Sequence, residues 1–206
     1  MQEDPRIIDF RSHKESSFST PPNVRYDQSD HDSIHNIEDL VPSFPCSLSA
    51  LSSYIVTSSA VSKYVAPTPL SALLSALRGS PRAWKSRHLV LTSIVSTFSS
   101  RRTKSLPVKT NILHLFKGSF PDDREVDRLL ITGFSQVFVP DDHPDIAGRQ
   151  CVLKAVGHSA KGLRRDSSGS LILKGEMTWM FQCPDSSAMK EWLLSIRNVV
   201  LNDRCP

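Results

Sequence analysis

The chain has 206 residues, 39% of them hydrophobic and 22% charged, enough for one domain of ordinary size with tails. No run approaches the roughly 18–20 unbroken apolar residues of a spanning helix. The acidic start MQEDPRIIDF lacks the apolar centre of a secretory signal, so an intracellular, soluble protein is expected, and its net charge of +4 excludes neither lipid nor nucleic acid as partner.

Residues 1–45 are rich in Ser, Asp, Pro and His, without sustained period, and read as disordered. Asp30, His31, Asp32 and His35 could be drawn as a metal site, but in a flexible tail they hold no geometry, and no metal is expected. Residues 44–66 are Ser/Ala/Leu-rich and suggest a helix near 51–64, weakened by the serines and threonines. The whole of 1–66 is assigned to a disordered Ser/Pro/acidic N-terminal region, and 67–203 to the folded domain.

Within that domain Leu70, Leu73, Leu74 and Leu77 fit either a short helix or a strand. Residues 78–82 (RGSPR) make a turn, and 88–92 (HLVLT) a short strand. The polar, basic stretch at about 93–108 reads as a long loop inserted before the next strand, 111–117. Residues 121–128 are charged and turn-like. They lead into short apolar runs at 129–131, 136–139, 151–156 (stopped by Gly157), 171–173 and 177–183. Short strands at this spacing imply an antiparallel, mainly β domain.

The last element is a helix from Asp185 to about Leu201. Met189, Trp192, Leu193, Ile196, Val199 and Val200 form one apolar stripe on a 3.6-residue period. Pro184 stops the preceding chain, and Asp185 is placed to cap the first free amides. Such a helix needs an apolar opening to close, and the strands before it supply one.

Charge is unevenly divided. Residues 1–65 hold five Lys/Arg against nine Asp/Glu, a balance of −4, and the remainder twenty against twelve, +8. No carboxylate stands between Asp39 and Asp122, an interval with ten Lys/Arg. A basic field of this kind attracts phospholipid, nucleic acid or an acidic protein. The four cysteines contain no C-x-x-C pair. Cys151 and Cys183, inside strand-like runs, read as buried free thiols rather than disulfides or metal ligands.

Residues 82–91, RAWKSRHLVL, look like the W-K-x-R-x-F-V-L start of the second strand of pleckstrin homology domains. Met189-Lys190-Glu191-Trp192-Leu193 looks like the family's C-terminal helix with its tryptophan. The chain resembles that family over about residues 70–201. The resemblance implies a PH-like, partly open barrel of two orthogonal antiparallel sheets capped by the C-terminal α-helix.

Family members that bind phosphoinositides use basic residues of the first two strands and their loop, spaced K-x(n)-[K/R]-x-R. Lys and Arg from neighbouring strand ends converge on clustered phosphates through charge-assisted hydrogen bonds. The positions that match are Arg78, then Lys85 and Arg87, with Arg82 on the same loop; Lys109 and Lys117, at the two ends of the third strand, are candidates for the same mouth. The resemblance thus implies a non-catalytic module that binds phosphoinositide or anionic membrane surfaces peripherally, for targeting or as an adaptor. The alternative is a protein-interaction domain of the same fold without significant lipid binding.

No cofactor is expected. An enzyme is not expected either, for G-x-S-x-G, H-E-x-x-H, phosphate-loop and dinucleotide motifs are all lacking. His88, His114 and His158 read as surface or packing residues. Nucleic acid ranks last, because the aromatic residues follow strand patterns instead of alternating with Arg and Lys.

Overall fold

A ring of strands closes on itself and is stoppered by the last helix. The computed structural model describes residues 41–66, 84–100, 103–141, 148–164 and 171–204. The strands are β1 (Ile55–Tyr64), β2 (Trp84–Ser100), β3 (Thr103–Phe116), β4 (Glu125–Ile131), β5 (Gln136–Phe138), β6 (Val152–Ser159) and β7 (Glu176–Gln182). Helix α1 (Ser186–Arg204) follows, and a 3-10 turn (Ser49–Tyr54) leads into β1. The ladder runs β4-β3-β2-β1-β7-β6, all antiparallel, and β4 pairs again with β6. Six strands therefore make a closed barrel, and β5 pairs with β6 beside the β4 seam, sending Val137 into the core.

Closure differs from the partly open barrel expected, yet two seams are short. β4 meets β6 only at Leu129↔Ser159 and Leu130↔His158, and β1 meets β7 only at Ser62↔Gln182 and Lys63↔Phe181. Gly157 permits the first seam, since a Cβ there would fall against the Leu130 carbonyl oxygen. The residue expected to stop β6 thus lies inside it.

The interior is filled by alternate residues of each strand, Leu89 and Leu91, Leu113 and Leu115, Leu153 and Ala155, Trp179 and Phe181 among them. From α1, Trp192, Ile196, Val199 and Val200 enter the same core, as the stripe required. Trp192 is 1% exposed, packs edge-on to Phe181 at 6.1 Å and donates its indole N–H to Ser59 Oγ at 2.8 Å. The Asp185 carboxylate accepts from the Ala188 amide at 2.8 Å, capping the helix as expected. Burying each large side chain of the stripe is worth about 1.5–3 kcal/mol.

Four expectations need correcting. Residues 41–66 are ordered rather than part of a disordered region, and 55–64 are a strand rather than a helix. β1 shows only Val61 fully buried, but it pairs with β2 from Tyr64↔Trp84 to Ile55↔Thr92. The stretch at 93–108 is not a loop: β2 and β3 continue through it as one long hairpin, paired from Val95↔Lys109 to Ser100↔Thr103. The turn-like 121–128 already contains the first half of β4. The apolar run 70–77 lies outside the described residues.

The outer face of β2-β3-β4 is also covered, so every residue of β3 from Thr110 to Phe116 is buried. Cys46 and Leu51 pack on Val90 and Phe116, while Val41, Ala160 and Leu163 pack on Ile94, Ile112 and Leu130. The segment preceding β1 is thus a second layer on the barrel wall. Among the described residues no helix is long and apolar enough to cross a membrane.

Candidate functional site

Side chains two apart on a strand share a face, so Val61 in the core brings Lys63 to the inner side at the end of β1. By the same rule Leu89 in the core brings Arg87 and Lys85 to the inner side at the start of β2. Register then sets Lys63 directly opposite Lys85, and Val61 opposite Arg87. Three cations gather at one end of the barrel.

They border a cavity of about 530 Å³, in the range of small-molecule sites. It lies where the β1–β7 ladder ends, between residues 64–66 on one side and 177–180 on the other. Lys154 of β6 adds a fourth cation. Most of the remaining wall is apolar: Leu115, Val126, Met177, Trp179 and Met180, with Tyr64 and Val65 at the edge. The one carboxylate there, Asp127, is engaged by Lys161 at 2.9 Å. Among the described residues no carboxylate pairs with Lys63, Lys85 or Arg87.

Lys63 is the most constrained of the four. Its Nζ donates to the Tyr64 carbonyl at 3.0 Å and lies 5.3 Å from the centre of the Trp179 ring. Burial pushes its pKa down to about 8, opposed only in part by the negative charge of Asp127. Trp179 is 1% exposed, and its indole N–H has no hydrogen-bond partner. An ammonium short of compensation, above an apolar floor, is a place for an anion.

Of the residues expected at this mouth, Lys85 and Arg87 are brought together; Arg78 and Arg82 lie outside the described residues. Lys109 does not belong to it. It is exposed opposite Val95, seven residues before the end of β3, about 23 Å away at ~3.3 Å per residue. Lys117 is exposed just after β3 and does not line the cavity. Lys63 and Lys154 were not anticipated. Alternation of Val61 and Lys63 along a β-branched run was the available signal for Lys63, hidden by reading that run as helical.

A second cluster lies in the outer layer. Glu125, 4% exposed, accepts from His114 Nδ1 at 2.6 Å and Arg128 Nε at 2.9 Å, and from Arg128 Nη2. The Cys46 amide and thiol both approach its other oxygen at 3.4 Å. Arg128 Nη1 donates to the Pro42 carbonyl at 3.1 Å. Phe44 receives both Arg128 and Lys161 at 5.1 Å from its ring centre. Burial by itself would raise the Glu125 pKa, but hydrogen bonds from His114 and Arg128 hold it below the ordinary carboxylate range. Burial likewise keeps His114 neutral by lowering its pKa, despite Glu125. Nδ1 therefore carries the proton, and Nε2 accepts from the Thr92 hydroxyl at 2.9 Å.

Thr92, His114 and Glu125 stand in the hydroxyl–imidazole–carboxylate order of a nucleophile relay. Thr92 and His114, however, have no solvent exposure, and Arg128 occupies the carboxylate. Far from the surface or packing role expected of it, His114 is a buried polar link. Cys46, His114 and Glu125 also bring three potential metal ligands within 4.8 Å. A cation there would have to displace the Arg128 guanidinium, and burial pushes the Cys46 thiol up to about 12, far from the thiolate a metal needs. The cluster fastens residues 42–46 to β3 and β4.

No family model and no curated protein matches this sequence.

Proposed function

We propose that the chain is a PH-like, non-catalytic module that binds the anionic head groups of phospholipids or phosphoinositides and so associates peripherally with membranes, as a targeting or adaptor protein. The observation that carries this reading is Lys63 opposite Lys85, with Arg87 on the same face, while Asp127, the one carboxylate among the described lining residues, pairs with Lys161 instead. The strand starting Trp84-Lys85-Ser86-Arg87 and the capping Trp192 support it, as does Lys63 in the leading place of the K-x(n)-[K/R]-x-R spacing first given to Arg78. At about 1 kcal/mol per cation near an anionic leaflet, Lys63, Lys85, Arg87 and Lys154 supply roughly 3–4 kcal/mol, a reversible association that salt erodes.

Sedimentation with vesicles of phosphatidylcholine alone, with phosphatidylserine added, or with phosphatidylinositol bisphosphate added, each at low and high salt, tests the proposal. Binding should require the anionic lipids and be lost in Lys85→Glu/Arg87→Glu, with thermal unfolding unchanged. Equal binding by that folded double variant sinks it.

The protein-interaction reading has one specific support. Leu194 and Leu201, two helical turns apart on α1, are 59% and 57% exposed. Salt-insensitive binding of a partner, lost in Leu194→Glu, would favour it.

A further inference from the structure

The wall of the cavity does not suit a head group alone. An inositol phosphate has hydroxyls and phosphates all round, and against Leu115, Val126 and Met177 these would lose water without gaining donors. Three of the four cations, Lys63, Lys85 and Arg87, stand on β1 and β2, whereas Leu115, Val126, Met177 and Met180 come from β3, β4 and β7, with Lys154 of β6 the one cation beside them. A molecule complementary to that division is itself divided.

We propose that the cavity takes a single-chain anionic lipid, its acidic head on Lys63, Lys85 and Arg87 and its acyl chain along the gap between β1 and β7. This rests on reading the same mouth as an anion site. Several observations converge on it. The β1–β7 ladder stops at Lys63↔Phe181, so the strands part where a slender chain would lie. Met177 and Met180 line that gap, and their unbranched, polarizable side chains adapt to a flexible chain. The volume of about 530 Å³ exceeds what an isolated phosphate fills. Lys63 stands at the junction, its Nζ over the Trp179 ring, with the one carboxylate among the described lining residues, Asp127, already held by Lys161. A phosphate at that point compensates the ammonium, and the chain behind it keeps water out.

Calorimetric titration of the full chain tests this with glycerol 3-phosphate and with monomeric 1-acyl-glycerol 3-phosphates of about six, eight and ten carbons, each buried two-carbon step tightening binding roughly tenfold. The gain should disappear in Val126→Asp, a partly exposed wall position, and head recognition in Lys85→Glu/Arg87→Glu. Inositol trisphosphate is titrated in parallel, and thermal unfolding checks each variant. Inositol trisphosphate binding with no gain from added carbons overturns the acyl-chain site and leaves the head-group reading standing. Chain-length dependence that survives both variants marks non-specific adsorption and also overturns it. Failure of every phosphate to bind removes both.

Discussion

Lys63 and Lys85 face one another at a single register position of the β1–β2 ladder, at the edge of an apolar cavity. Like charges directly opposite destabilise a sheet by a few tenths to about 1 kcal/mol, and burial of Lys63 adds to that cost. A fold selected for stability alone has no use for this pair.

Lys63→Met should therefore raise the melting temperature while weakening function. Relief of about 1 kcal/mol corresponds to roughly 2–4 °C for a domain of this size. Binding to anionic vesicles should fall about fivefold or more with the loss of one cation. Differential scanning calorimetry and vesicle sedimentation on one preparation measure both. A lower melting temperature would show that the lysine stem packs better than its charge repels.

Anion binding should weaken as pH rises from 7 to 9. Lys63 has its pKa pushed down to about 8 by burial, so the free protein loses this charge within that window. A bound anion stabilises the ammonium, so binding takes up protons and affinity declines above pH 8. Lys63→Arg, which stays charged, should flatten the profile across that range. Titration of vesicle binding at constant ionic strength reads the slope.

Glu125→Gln should be severely destabilising, by about 3–5 kcal/mol, because it leaves the buried Arg128 guanidinium without its carboxylate. Urea unfolding followed by tryptophan fluorescence measures the loss. A change below about 1 kcal/mol would mean that the Pro42 carbonyl and the Phe44 ring suffice for Arg128.

Acid should act on the same cluster in two stages. The lowered pKa of His114 means that the unfolded chain binds more protons just below pH 6.5, so stability falls as pH drops through that value. The Glu125 pKa is also lowered, so its contribution is complete above about 4.5 and declines below it. Melting temperatures from pH 7.5 to 4 should show both stages, and His114→Gln should shrink the first to the part left by His88, whose pKa burial also lowers. A flat profile in the wild type would contradict a buried neutral imidazole.

Ser59→Ala should cost about 1–2 kcal/mol, since it strands the Trp192 indole N–H at a buried position. Replacing Trp192 itself with Ala should cost about 3–5 kcal/mol. Chemical denaturation of the two variants separates the hydrogen bond from the packing.

The elements that rest on periodicity were readable without coordinates. Trp192, Ile196, Val199 and Val200 had one period and one destination, and runs such as Leu89-Val90-Leu91 could only be strands of a core. What escaped has a common cause. β1 shows only Val61 fully buried, so its serines and threonines imitate a tail, and Lys63 was lost with it. The hairpin beyond Val95 has little apolar alternation and is defined by ladder pairing. Glu125 and Arg128 look like turn residues because local sequence cannot announce that His114 and residues 42–46 will meet them.

The outer layer on the barrel also fixes where this domain can be cut. A fragment beginning at Pro67 would lack β1, one stave of six, and would bare the backbone edge of β2 along its whole pairing with that strand. It would also strip the Cys46 contacts from Glu125 and the Pro42 carbonyl from Arg128. A piece that keeps this layer must retain Val41 and Pro42.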